Sequence, residues 1–191
     1  MSHYTLCAIF STESEEVEKE FKKLYQESKD NLLNFFVEKL KKPLAKFDTD
    51  TKVEEHIVYI DDKELVMMKN SYKEEDLKTL AGKMDDWNGN KGGVDEKGLY
   101  YNTTENPNGK FDNWNAYDIL SVKEFILNIN KLDRIPKSIL LPNLEWIDSN
   151  LWVYHSPGKN EEEKINQWIE KIKEIMSKYP NSFVIFIDCH I

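Results

Sequence analysis

The sequence predicts a mixed α+β fold, and three observations carry that expectation. Two short apolar runs, Ser2–Phe10 and Phe183–Ile187, have the length and the aromatic and branched content of buried strands. Longer segments repeat apolar residues at helical spacing, first Val17, Phe21, Leu24, Leu32, Phe36 and Leu40, later Ile165, Trp168, Ile169, Ile172 and Met176. Strand and helix patterns also alternate along the chain at both of its ends, as in a sheet that carries its helices on a face.

The elements follow in order. Thr12 and Glu15 are spaced as a capping box for the first long helix, which has room for a break near Asp30 and which Pro43 should end. His56–Ile60 and Glu64–Met68 flank Asp61-Asp62-Lys63 and read as a hairpin. Ser71 and Glu74 are spaced to cap a short helix bearing Leu77, Leu80 and Met84. Five of the seven glycines then fall between Gly89 and Gly109, among large aromatics, which predicts an ordered loop with a strand near Gly98–Asn102. Ser121 and Glu124 open a further helix, Ser138–Leu141 and Trp146–Tyr154 read as strands, and Glu161-Glu162-Glu163 suits the positive end of the last helix. Strand, helix, strand at one end and again at the other is the order of a split βαβ, ferredoxin-like plan. In that plan the first and last strands are antiparallel neighbours. Residues 1–191 would form one domain, with 84–118 as an inserted loop or arm.

Composition narrows the function classes. The chain has 191 residues, 40% of them hydrophobic, and can bury a core without disulfides or metal. Its net charge of −9 repels phosphate backbones, so direct nucleic-acid binding is disfavoured; the charge suits simple solubility first, and otherwise docking on a basic protein partner. Cys7 and Cys189 lack metal-type spacing and sit in strand runs, as small buried residues do. No apolar run approaches the roughly 20 residues that span a bilayer, and no leader pattern opens the chain, so a bacterial cytoplasm is the expected location. Gly89-Asn90-Lys91-Gly92-Gly93 lacks the terminal Lys-Ser/Thr of a phosphate loop.

Chemistry is hinted at in one place. Antiparallel first and last strands would bring His3 to Asp188 and His190, the last two on one strand face. An aspartate beside an imidazole fixes its tautomer, as in general bases and in the surroundings of metal sites. Three readings stay open for this trio: hydrogen bonds that lock the strand ends, a catalytic acid–base set, or a minimal metal set. Two imidazoles and one carboxylate are fewer ligands than closed zinc sites use, so no cofactor and no tightly held metal are expected. A second group, Trp87, Tyr100, Tyr101, Asn106, Lys110 and Trp114, combines a turn with aromatic residues that either pack that turn onto the core, the first reading, or anchor a partner.

The motifs MSHYTL at 1–6, NPNGKFDNW at 106–114 and DCHI at 188–191 resemble a family of uncharacterised bacterial, phage and mobile-element proteins. That family begins MSHFTV, carries NPNAKWDW followed by GGRW, and ends in DCHI. The likeness covers the outer third of the chain and one central block. Tyr117-Asp118-Ile119-Leu120 stands where the family has its Gly-Gly-Arg-Trp, so a ligand held by that arginine would be lost or replaced here. The resemblance implies genomic context rather than a reaction. The resulting expectation is an accessory protein of a phage or mobile element that binds and inhibits a host protein, such as a CRISPR effector or another defence nuclease. Two alternatives accompany it: a small hydrolase or nuclease using the terminal histidines, and a structural or assembly protein of the element.

Overall fold

Thr5–Ile9 are five consecutive buried residues. Successive strand side chains point to opposite faces, so a strand buried along its length needs cover on both. The computed structural model, which describes residues 3–12, 14–88, 91–149 and 159–191 (backbone only at 85–88 and 159–161), provides that cover. In chain order the elements are β1 (His3–Phe10), α1 (Glu15–Glu27), α2 (Lys29–Leu44), β2 (His56–Tyr59), α3 (Asp62–Tyr72), α4 (Leu77–Asn88), β3 (Gly92–Asp95) and β4 (Gly98–Thr103). They continue with β5 (Asn113–Ser121), α5 (Val122–Asn128), β6 (Ser138–Leu140), β7 (Trp146–Asp148), α6 (Lys159–Ser177) and β8 (Phe183–His190). The fold is mixed α+β and divides into two compact units, Met1–Asp48 with Lys110–Ile191, and Thr49–Gly109.

The first unit is a five-stranded sheet in the order β5-β8-β1-β6-β7. β8 runs antiparallel to both its neighbours, while β1 and β6 are parallel. Leu6 and Ala8 face Phe21 of α1 and Leu32, Phe36 and Leu40 of α2. Cys7 and Ile9 face Phe125 of α5 and Trp168, Ile172 and Met176 of α6. Phe36, Phe111, Phe125 and Phe183 are essentially without solvent contact, and each such side chain contributes about 1.5–3 kcal/mol by burial. The antiparallel pairing of the first and last strands is present. The ferredoxin-like arrangement is not reproduced, because that plan keeps its helices on one face and this sheet carries helices on both.

The second unit is a three-stranded antiparallel sheet, β2-β4-β3, with α3 and α4. Leu80, Ala81 and Met84 of α4 meet Met68 of α3 and Leu99 of β4 in its own core. Gly98, at φ +127°, closes the β3–β4 turn in a conformation that glycine adopts without cost.

Several local expectations are corrected. The first long helix does break close to Asp30, at Ser28, but its start is capped by Ser14 rather than Thr12; the Ser14 and Ser28 hydroxyls accept from the Val17 and Asn31 amides. Pro43 sits inside the last turn of α2 rather than after it. Glu64–Met68 is helical, because Asp61 accepts from the Glu64 amide and Leu65, Met68 and Tyr72 share one face of α3. Ser71 therefore caps nothing. α3 runs on to Lys73, which takes the left-handed conformation, and Asp76 holds the Thr79 amide and hydroxyl at the start of the next helix. The expected 84–118 arm is split between elements: β3 and β4 belong to the second unit, whereas Asn113–Ser121 forms β5 of the main sheet. The end of the proposed Trp146–Tyr154 run lies outside the described residues.

Candidate active site

Register builds the site. β1 and β8 pair with His3 opposite His190 and Thr5 opposite Asp188. Alternation then places His3, Thr5, Asp188 and His190 on the face that carries α5 and α6, and Tyr4 and Cys189 on the other. His3 Nδ1 lies 3.1 Å from Asp188 Oδ2, and His190 Nε2 lies 3.6 Å from the same oxygen. The two imidazole rings are 4.0 Å apart between centroids. The sequence-predicted trio therefore meets. His3 is 44% exposed, and Asp188 and His190 about a quarter exposed, so the group faces solvent across one side only.

Sequence reasoning missed a fourth residue. Arg134 Nη1 stands 3.8 Å from Asp188 Oδ1, an oxygen that is buried and has no hydrogen-bond partner among the described residues. The segment that carries Arg134 follows α5 and is fastened to the sheet where the Lys137 amide donates to the Thr5 carbonyl, 2.8 Å. A compositional signal for it exists: Arg134 is the only arginine in a chain whose other basic residues are lysines. Arginine offers a planar, bidentate fork for carboxylate or phosphate that lysine cannot.

A fifth residue arrives through a backbone irregularity. The β5–β8 register shifts between Ala116 and Asp118, and the bulge turns Tyr117 to the Asp188 face, where its ring meets Phe186. Its hydroxyl lies 3.4 Å from Thr5 Oγ1. Partial burial raises the Tyr117 pKa, against the opposing effect of the Thr5 hydrogen bond, so the phenol stays protonated at neutral pH.

Two recesses flank Arg134. One, of about 430 Å³, is lined by Asn115, Tyr117, Asp118, Arg134 and Asp188. The other, of about 440 Å³, is lined by His3, Thr5, Arg134, Lys137 and Ser149. The second recess sets Arg134 and Lys137 beside Asp133.

The cysteines take no part. Burial pushes the Cys189 thiol up to about 12 and the Cys7 thiol well above its ordinary value, so neither supplies a thiolate near neutral pH. The residues of the second sequence group are divided between the two units. Lys110 donates to Asp148 (3.3 Å), which also accepts from Ser138 Oγ (2.6 Å) and Trp146 Nε1 (2.7 Å). Burial raises the Asp148 pKa, but these donors and the Lys110 charge outweigh it and the net shift is downward. That carboxylate is saturated and ties Lys110 to the sheet. Trp114 packs against the α1–α2 core. Tyr100 and Tyr101 are half-buried strand residues of the second unit, Tyr100 against Tyr59 and Tyr101 against the α3–α4 core. Asn106 holds its own turn by accepting from the Asn108 amide. The Trp87 side chain lies outside the described residues.

No family model, curated protein or solved structure matches this chain. No described helix is long and apolar enough to cross a membrane.

Proposed function

We propose that this protein is a phosphoester hydrolase whose His3–Asp188–His190 cluster activates the attacking water and whose Arg134 holds the anionic group. The observation that carries this reading is the convergence of two imidazoles on one carboxylate oxygen while the chain's sole arginine stands at the other. In hydrolysis the water oxygen bonds to phosphorus and the bond to the leaving oxygen breaks. The cluster takes the proton that water gives up, and a proton returns to the leaving oxygen. Paired imidazoles suit such two-way traffic, because one can accept as the other donates. A guanidinium lowers the cost of the charge that builds on the equatorial oxygens.

The resemblance at the two chain ends supports the same centre, since His3, Asp188 and His190 are the polar residues of MSHYTL and DCHI that meet. The accessory-inhibitor expectation rests on the resemblance and on net charge, a property of the whole surface, whereas the local geometry supports chemistry at this cluster.

The test is turnover of an activated diester, bis(4-nitrophenyl) phosphate, and of the matching monoester. His190→Ala and His3→Ala should each lower kcat/KM by about 100-fold or more. Arg134→Lys should raise KM, because a point charge replaces a fork. Absence of turnover by the wild type, or turnover indifferent to His190→Ala, overturns the reading.

A further inference from the structure

We infer that His3 Nδ1, Asp188 Oδ2 and His190 Nε2 form an exchangeable site for a first-row divalent cation of the zinc type. The inference rests on the hydrolase reading and changes one role in it: with an ion bound, the two ring nitrogens are ligands, and activation of the water would pass from the imidazoles to the ion. Binding itself can be tested without that reading.

Spacing is the first argument. Ligand atoms that sit about 2.0–2.2 Å from a tetrahedral ion lie about 3.4 Å from one another. Asp188 Oδ2 is 3.1 Å from the His3 nitrogen and 3.6 Å from the His190 nitrogen, which brackets that value. All three ligand atoms lie within 4.8 Å of one another. His3, the most exposed member, is the side chain that would adjust to bring the set onto one ion.

Charge is the second argument. Asp188 is three-quarters buried and its Oδ1 has no hydrogen-bond partner among the described residues, with Arg134 at 3.8 Å as its nearest charge. A carboxylate taken from water this far calls for a closer cation than that. An ion on Oδ2 supplies it, and Arg134 is then the outer partner that holds the carboxylate in line.

Donor chemistry selects the ion. Two imidazole nitrogens and one carboxylate favour zinc, cobalt or manganese over calcium and magnesium, which take oxygen ligands almost exclusively. Three protein ligands leave positions for water or substrate, the pattern of catalytic rather than structural zinc. His3 is 44% exposed, which leaves the ion open to solvent and exchangeable, and the experiment supplies it.

The experiment is zinc titration by calorimetry into tag-free, chelator-treated, full-length protein. One saturable equivalent with micromolar affinity is expected. Asp188→Asn and His190→Ala should weaken it at least tenfold, while His56→Ala in the second unit should leave it unchanged. His3→Gln, an exposed substitution, keeps the test sound if a β8 variant fails to fold, and it too should weaken binding at least tenfold. Cobalt(II) added in place of zinc should show ligand-field absorption of low-symmetry N/O coordination that is lost in the same variants. No saturable binding, or binding that His3→Gln and His190→Ala leave untouched, overturns the site. Phosphoester turnover that persists in chelator without metal binding would reject the metal and keep the hydrolase. Metal binding without turnover would keep the site and reject the hydrolase.

Discussion

Asp188 and Cys189 are neighbours in sequence with opposite environments, and that contrast explains the division of labour at the end of β8. The carboxylate faces two imidazoles, while the thiol faces the α1–α2 core and is fully buried. Both cysteines should therefore resist Ellman's reagent at pH 8 in the native protein and react promptly in denaturant. A fast-reacting native thiol would show that the sheet core is open. The same burial has a pH consequence. An unfolded cysteine ionises near pH 8.5, whereas native Cys189 holds its proton up to about 12. Between those values the native state binds more protons than the unfolded state, so this residue's contribution to stability is complete below about pH 8.5 and is lost as pH rises through the window. Chemical denaturation at pH 8 and pH 10 should show the midpoint falling, and less so in Cys189→Ala.

At the scale of elements, caps and close approaches decide what periodicity leaves open. The capping box at α5 is legible in the sequence: Ser121 Oγ accepts from the Glu124 amide and Glu124 accepts from the Ser121 amide. Glu124 also accepts from Tyr25 at 2.6 Å, which joins α1 to α5 across the sheet edge and follows from no local pattern. In the second unit, Gly92 has no room for a side chain, since an added Cβ would lie 2.3 Å from the Ala81 carbonyl oxygen. Backbone of α4 must shift to admit it. Gly92→Ala should cost about 1–3 kcal/mol, as overpacking does. Hydrogen exchange should read this as faster exchange at β3 and β4 amides, with β1 and β8 amides keeping their protection. Unchanged exchange in β3 would show that α4 yields without loss.

For the whole molecule, the division into two units makes a direct prediction. The Lys110 and Phe111 amides both donate to the Phe47 carbonyl, and Asp48 bridges to Phe111, so the chain leaves and re-enters the first unit at adjacent points. Each unit also has a core of its own. Replacing Thr49–Gly109 with a short Gly-Ser linker should give a chain that unfolds cooperatively, since short loop closure costs little. Its His3 and His190 imidazole signals should match those of the full chain by NMR. Collapse of the shortened chain to a molten state would show that the first core is insufficient alone.

The sequence by itself determined the elements whose signals are local: the buried runs of β1 and β8, the stripe of α6, the capping box of α5, and, through the antiparallel pairing of two strands, the meeting of His3 with Asp188 and His190. It could not determine β5, because Asn113–Ser121 mixes polar and aromatic residues in a pattern that becomes a strand only when β8 offers an edge to pair with. Nor could it separate a hairpin from a helix at Asp61–Met68, where short apolar runs fit both periods until α4 and β4 choose the helical face. Only the tertiary structure placed Arg134 and Tyr117 at the cluster. Each is far from Asp188 in sequence, and each gets there by a backbone event, a fastened loop in one case and a bulge in the other. Side-chain convergence of that kind depends on register and strand order, which no window of neighbouring residues encodes.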